Sequence, residues 1–320
     1  PPIERVPLLP VPDAVGVSAG TQREAREHRS LQGRSRPDDA SVRHGPRRYV
    51  GSLRRPRFDF AMCKRISGGV PQRAVCRTTL TLDSIHELGG ATLTEISEHL
   101  GLTPGTVHPH LVTLAENQLV TKRNGVYTPS FKFLRVGERR RRKNVLFRHA
   151  DDKVEDLARR TNARIQVYAE EFGMAICIAQ AGSQNSIQPP DKVGDQTHLH
   201  VIAAGKAMLS EMPDERVSEI VERRGLPEYT PNTIVDESEL FETLGAVSDR
   251  GYAFNDEEYI SGLGAVGSAV TAENGGVIGA ISASVPTNRM SNPEFADTIP
   301  HDVASVANTI ELDIHVENKG

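Results

Sequence analysis

Cysteine is scarce in this chain and long apolar runs are missing. Its three cysteines, Cys63, Cys76 and Cys177, are scattered and form no C-x-x-C pair. This argues against a disulfide framework and against a zinc knuckle, and it fits a reducing cytoplasm. No apolar stretch approaches the roughly 18 residues that would suggest a membrane span. Nor does a secretory leader stand out: "PPIERVPLLPVPDAVGV" has an apolar patch, but prolines break it and no basic region precedes it. There is no internal repeat, no G-x-S-x-G elbow and no visible Cys/His pairing, so the chain offers no catalytic apparatus and does not read as an enzyme.

What is present is charge, unevenly spread. The formal net charge is only −4. Residues 1–70 hold 14 basic against 7 acidic side chains, and residues 71–150 hold 12 against 6. Residues 151–320 reverse the balance, with 12 basic against 29 acidic. A basic front and an acidic back suggest an anionic partner for the front half alone. The acidic back, in which only four lysines follow residue 150, also suits solubility in a salty cytoplasm.

Residues 1–70 are rich in Pro, Arg and Gly and show neither helical nor strand periodicity. Such a segment buries too little apolar area to offset chain entropy, and it is expected to be a disordered basic tail. The chain begins Pro-Pro and its first methionine is Met62, so a mis-assigned start is expected, with a basic DNA-binding arm as the alternative.

Residues 71–131 carry the pattern of a winged helix-turn-helix. In "RTTLTLDSIHEL", Leu82, Ile85 and Leu88 recur at three-residue spacing before Gly89-Gly90. "TLTE" is a capping box, Thr92 with Glu95, opening a helix that buries Leu93, Ile96 and Leu100. Thr103 is expected to cap a third helix with Pro104 at its first position. Val107, Leu111 and Leu114 give that helix one apolar face. Asn124-Gly125 between two short extended runs is a hairpin signal, and Lys122-Arg123 sits where a wing would touch phosphate.

A proline interrupts the third helix. Pro109 lies about 200° around the helix from Val107, facing outward with Gly105, Thr106 and Thr113. A mid-helix proline costs about 3 kcal/mol through a lost N–H bond and a clash with the carbonyl four residues back. That carbonyl belongs to Gly105, in the first turn, so a kink or local restart is expected there with the apolar face preserved. The DNA contacts expected from this region are Thr103, Gly105, Thr106, His108 and His110 on the helix, with Arg77, Lys122 and Arg123 on phosphate.

Residues 132–144 read as a linker helix with a basic run, Arg139 to Lys143, that is either a solvated face or added phosphate contacts. Residues 145–320 read as an α/β domain with an antiparallel sheet. "ARIQVYAE" and "MAICIAQAG" read as strands; "AAGKAMLSEM", "DERVSEIVERRG" and "ESELFETLGAVSDRG" read as helices. Asp236 with Glu239 forms another capping box, and "AVGSAVTAENGGVIGAISASV" is a hairpin. A last helix is expected from Asn292-Pro293, bending or restarting at Pro300.

Two motifs invite a sharper reading and fail on context. "GLGAVG", Gly262 to Gly267, matches the dinucleotide fingerprint, but charged "NDEEYIS" precedes it and a strand-like run follows. Its glycines instead mark a close approach to a ligand or to another backbone. His198 and His200 form an H-x-H pair without the further ligands a metal needs, and structural roles are expected. No metal and no cofactor are expected.

The chain from about Pro71 to His315 resembles the IclR-type transcription regulators of bacteria and archaea, in their archaeal form. The resemblance rests on "TPGTVHPHLVTL" as recognition helix, "FKFLRVGE" as linker helix and the loop "GYAFNDEEYISGLGAVGS" with Gly251, Glu258 and Ala265-Val266-Gly267. "HVIAAGKAML" and "GAISASVP" fall where that family has similar segments. The resemblance implies an α+β chain: a winged helix-turn-helix, a linker helix and a GAF-like domain binding a small effector, usually an organic or aromatic carboxylate. Carried over by position, the effector pocket takes Ala203, Ala204, Asn255, Leu263, Ala265, Ser282 and Ser284. Ser282 and Ser284 alternate on one strand, so their hydroxyls share a side. Asn255 stands where an acid or serine is usual and Ala265 where a cysteine is frequent.

The expected function is transcription regulation, with repression or activation left open. The expected partners are an operator duplex, the effector and further copies of the chain in a homodimer or tetramer, and no membrane. The alternatives are a non-specific nucleic-acid binder and a ligand-binding or metabolic protein with a degenerate head.

Overall fold

The computed structural model describes residues 73–319, apart from 183–190, 291, 293–294 and 296–297. The expected basic tail lies outside the described residues, as does part of the Asn292-Pro293 step.

Three helices and a small sheet build the head. α1 (Arg73–Glu87) ends ahead of Gly89 and Gly90, both at positive φ. Ile85 is fully buried, whereas Leu88, the last member of the predicted stripe, is exposed because the helix has already stopped. A two-residue strand, β1 (Ala91–Thr92), leads into α2 (Leu93–Leu100). The capping box is formed: the Glu95 N–H donates to Thr92 Oγ1 at 3.3 Å, and the Thr92 N–H donates to Glu95 Oε2 at 2.7 Å. α2 closes on Gly101 in the left-handed region.

α3 (Pro104–Glu116) follows, with Pro104 in its first turn. Thr103 holds the N-cap position, but its hydroxyl pairs with Thr106 Oγ1 at 2.9 Å instead of capping the backbone, which corrects the expected side-chain cap. Val107, Leu111 and Leu114 are buried against Ile85, Ile96 and Tyr127. α3 runs through Pro109 without a break, so no restart occurs. The carbonyl that Pro109 cannot engage belongs to Gly105, which is exposed and open to water. β2 (Val120–Arg123) and β3 (Val126–Pro129) turn at Asn124 and Gly125, at φ 50° and 83°. Positive φ at both positions suits a two-residue hairpin, and β1 completes a sheet in the order β1-β3-β2.

α4 (Lys132–Arg142) buries no side chain. Its one acid is paired within the helix: Glu138 accepts from Arg141 at 2.7 Å and from Arg142 at 2.6 Å. α5 (Val145–Thr161) is capped by Asn144, whose side chain accepts from the Phe147 N–H.

The remaining elements, in chain order, are β4 (Arg164–Glu171), β5 (Met174–Ala181), β6 (Gln196–His198), α6 (Ala203–Ser210), α7 (Asp214–Arg224), α8 (Glu237–Arg250), β7 (Ala253–Asp256), β8 (Leu263–Thr271), β9 (Val277–Pro286), α9 (Thr287–Met290) and α10 (Ile299–Lys319). The six strands form one antiparallel sheet in the order β6-β5-β4-β9-β8-β7. α5 and α10 cover one face, burying Leu157, Val303 and Ile310 against Ile165, Val167 and Ile281. α6, α7 and α8 cover the other, burying Met208, Ile220 and Leu240 with Tyr168 and Cys177. With helices on both faces, the strands are apolar on one side and mixed on the other. The polar residues on the α6 side therefore need a reason to be there. Pro300 is the second residue of α10, where a proline costs little, and a helix beginning at Ile299 agrees with the expected restart at that position.

Candidate nucleic-acid interface and effector cavity

The head presents its candidate contacts on three elements, α3, β2 and α1. On α3, Gly105 and His108 are exposed beside Pro109, Thr106 is half-buried, and Thr103 is exposed at the N-cap. Lys122 and Arg123 are exposed at the end of β2, with Lys122 Nζ 4.9 Å from the Tyr127 ring. Arg77 is half-buried on α1. His110 differs from the rest. It stands three residues after Val107 and four before Leu114, so the helical repeat turns it toward the head's interior. Its Nδ1 lies 2.9 Å from Thr78 Oγ1 on α1. Burial, and next the charge of Arg77, hold its imidazole below the usual histidine value.

In the α/β domain a small cavity opens between the sheet and the start of α6. It is lined by Ile202, Ala203, Asn255, Leu263, Ala265, Ser282 and Ser284, and its free volume is about 20 Å³. The pairing explains the convergence. Asn255 sits opposite Ala265 and Ala265 opposite Ser284, while Ser282 sits opposite Gln166. Residues in register on adjacent strands share a face, so β7, β8, β9 and β4 deliver one row of side chains. Six of the seven residues expected from the resemblance line this cavity. Ala204 does not: it is fully buried where α6 meets Gly267. A Cβ on Gly267 would lie 2.6 Å from the Ala204 nitrogen, so this glycine lets helix and strand touch backbone to backbone. The "GLGAVG" run accordingly lies mostly along β8 and opens no helix.

Five lining residues were not expected from sequence: Gln166, Tyr168, Asp191, Ile202 and Tyr259. Asp191 is 5% exposed and accepts from the Tyr259 hydroxyl at 2.7 Å and from the Tyr168 hydroxyl at 3.3 Å. Burial pushes its carboxyl up, against the hydroxyls of Tyr259, Thr197 and Tyr168. Burial also raises both tyrosines, which remain neutral donors. Two polar atoms on the cavity wall, Gln166 Nε2 and Asn255 Oδ1, have no hydrogen-bond partner, although both residues are only 2% exposed. The other end of the Asn255 amide donates to the Val201 carbonyl. The signal available in sequence was polar placement: Gln166 alternates with Ile165 and Val167 in a strand buried on both faces.

Next to the cavity, Lys206 on α6 donates to both carboxylate oxygens of Glu258 in the loop between β7 and β8. His198 and His200 have structural partners. His198 Nδ1 lies 2.7 Å from the Tyr229 hydroxyl, and His200 Nε2 lies 3.2 Å from the Pro227 carbonyl. Burial lowers His200 to about 4. Among the described residues no cluster of His, Cys, Asp and Glu could hold a metal ion.

A winged helix-turn-helix head followed by an α/β domain with a built cavity defines a DNA-binding protein that senses a small molecule. Residues 75–124 match the IclR helix-turn-helix domain, and residues 142–312 match the family described as bacterial transcriptional regulator IclR C-terminal. The probable HTH-type transcriptional regulator ArcR of Halobacterium salinarum is 30% identical over 258 residues, 77% of this chain and 96% of its own. The HTH-type transcriptional repressor AllR of Klebsiella pneumoniae is 34% identical over 121 residues, covering 38% of this chain and 44% of its own. In fold, the chain is similar to an IclR homologue of Microbacterium hydrocarbonoxydans solved with 4-hydroxybenzoate, with a TM-score of 0.63 at 18% identity, covering 75% of this chain and 98% of that one. The chain belongs to the IclR family and is a DNA-binding transcriptional regulator with a C-terminal effector domain.

Proposed function

We propose that this protein binds an operator duplex through α3 and the β2–β3 wing, and that a small molecule in the cavity sets its operator affinity. The observation that carries the reading is the row of polar and small side chains that four strands and α6 bring to one buried cavity, behind a head with an exposed α3 face. Residues 71–131 form the head, 132–144 the linker and 145–320 the effector domain. Thr103, Gly105, Thr106 and His108 approach the groove, and Arg77, Lys122 and Arg123 meet phosphate. His110, tied to Thr78, positions α3 on α1.

An organic carboxylate effector is supported by the 4-hydroxybenzoate bound in the Microbacterium homologue and by hydroxyl and amide donors on the cavity wall. Pairing of two copies is supported by the need of a winged-helix head for two half-sites. Repression is supported by the name of the AllR relative, and a non-enzymatic, cytoplasmic role by relatives named as regulators. No described helix is long and apolar enough to cross a membrane.

The test is fluorescence anisotropy of the full chain on DNA from upstream of its own gene, against scrambled DNA, across several salt concentrations. A preference that survives rising salt supports the reading. Equal binding that salt erases would instead indicate phosphate contacts alone, with the exposed basic run of α4 as their source.

A further inference from the structure

The charge of the cavity wall narrows what can enter it. A simple anion would find donors there, but it would also find Asp191, a buried carboxylate held in place by two tyrosine hydroxyls. Among the described residues lining the cavity none is cationic, although the buried Arg164 sits opposite Ser284 on the same face of the sheet. Each Asp191 oxygen receives one O–H bond and retains acceptor capacity. Asn255 Oδ1 adds a second buried acceptor without a donor. Unmet acceptors in a dry site each carry a desolvation cost, which an incoming N–H group removes.

Donors occupy the same wall. Gln166 Nε2 is buried with only the weak acceptor Cys177 Sγ beside it among the described residues, and the Ser282 and Ser284 hydroxyls share its face of the sheet. The eight-residue α6 begins at the cavity, with Ile202 as N-cap and no side-chain cap, and both Ile202 and Ala203 line the space. A carboxylate meets both the positive end of the helix dipole and these donors.

We infer that the cavity takes a small carboxylate that also bears an N–H-rich group, an ammonium, guanidinium or ureido nitrogen. The nitrogen end engages Asp191 and Asn255 Oδ1; the carboxylate engages Gln166, the two serines and the α6 terminus. This rests on the reading of the cavity as the effector site and adds the chemistry of its occupant.

The test uses three probes of similar length, guanidinoacetate, N-carbamoylglycine and succinate, titrated calorimetrically into the full chain. Guanidinoacetate and N-carbamoylglycine are expected to bind at least tenfold tighter than succinate. Asp191→Asn is expected to weaken guanidinoacetate at least tenfold while weakening succinate little or strengthening it. Tyr259→Phe, which removes one hydroxyl bond to Asp191, is expected to move the same ranking in the same direction by a smaller factor. Circular dichroism melts establish that both variants fold. Succinate binding as well as guanidinoacetate, or no binding of either nitrogen-bearing probe, would overturn the inference. If the ranking holds but no probe alters operator affinity by anisotropy, the assignment of the occupant stands and the regulatory reading fails.

Discussion

Lys206 and Glu258 form an ion pair inside the protein, 2% and 9% exposed, joining the first turns of α6 to the loop between β7 and β8. Burial pulls the lysine down and pushes the glutamate up, and their mutual attraction opposes both shifts. Removing one partner leaves a buried charge uncompensated. Lys206→Met is expected to lower unfolding stability by about 3–5 kcal/mol, and adding Glu258→Leu should return most of it. Urea melts of the two singles and the double measure the coupling. Additive losses would mean that the two side chains do not act as a unit.

His200 gives the α/β domain a pH dependence distinct from that of its carboxylates. Burial holds its folded value at about 4, below the ordinary 6.5. The unfolded chain therefore takes up this proton first as pH falls. The stability tied to neutral His200 is complete above 6.5 and is lost between 6.5 and about 4, up to about 3 kcal/mol in all. A His200→Gln variant should unfold with a flatter profile across that window. Glu317, held down to about 2 by Arg148 and His149, acts only below the usual carboxylate value of 4.5, so the two windows overlap only between 4.5 and about 4.

Gly267→Ala should disrupt the junction of β8 and α6. The added methyl meets backbone at 2.6 Å, which no rotamer change relieves. A loss of about 1–3 kcal/mol is expected from overpacking, with probe binding weakened because Ala203 moves with α6. Calorimetry on the variant against the parent reads both effects.

Pro109→Ala restores an N–H to an exposed position in a helix that already runs unbroken. A gain of up to about 3 kcal/mol in the stability of the head is expected. Operator affinity measured by anisotropy should rise with it. A more stable head that binds no better would show that Pro109 imposes no penalty on reading.

Base and phosphate contacts should separate by salt. Arg123→Ala is expected to weaken binding to operator and scrambled DNA alike and to reduce the slope of log K against log salt by about 1. His108→Ala is expected to reduce the preference for operator while leaving that slope in place. A His108 variant that lost affinity equally on both DNAs would move this residue to the backbone class.

The head was legible in sequence because its signals are local. Thr92 with Glu95, Asn124-Gly125 and the Val107, Leu111, Leu114 stripe each act within a few residues. Leu88 misled because a three-residue spacing says nothing about where the helix ends. His110 was expected among the DNA contacts; its ring also meets Thr78 on α1, a pairing 32 positions apart that no local pattern announces. The cavity was half legible. Residues on β8 and β9 came through the family pattern, but Asp191 and Tyr259 lie 68 positions apart and meet only once the sheet is assembled. No periodicity links them.

α4 carries one more consequence. Its far end is fastened to the sheet by Arg140 on Glu171 at 3.2 Å, while along its length it buries nothing. A rod of 11 residues, about 16 Å long, is then the mechanical path from sensor to reading head. Its stiffness comes from backbone hydrogen bonds and the Glu138 pairs, which salt weakens. Under the proposed regulation, an occupied cavity would be felt at the DNA through this helix. Softening it, by glycine in place of Glu138, would mute the signal without touching either the ligand or the operator.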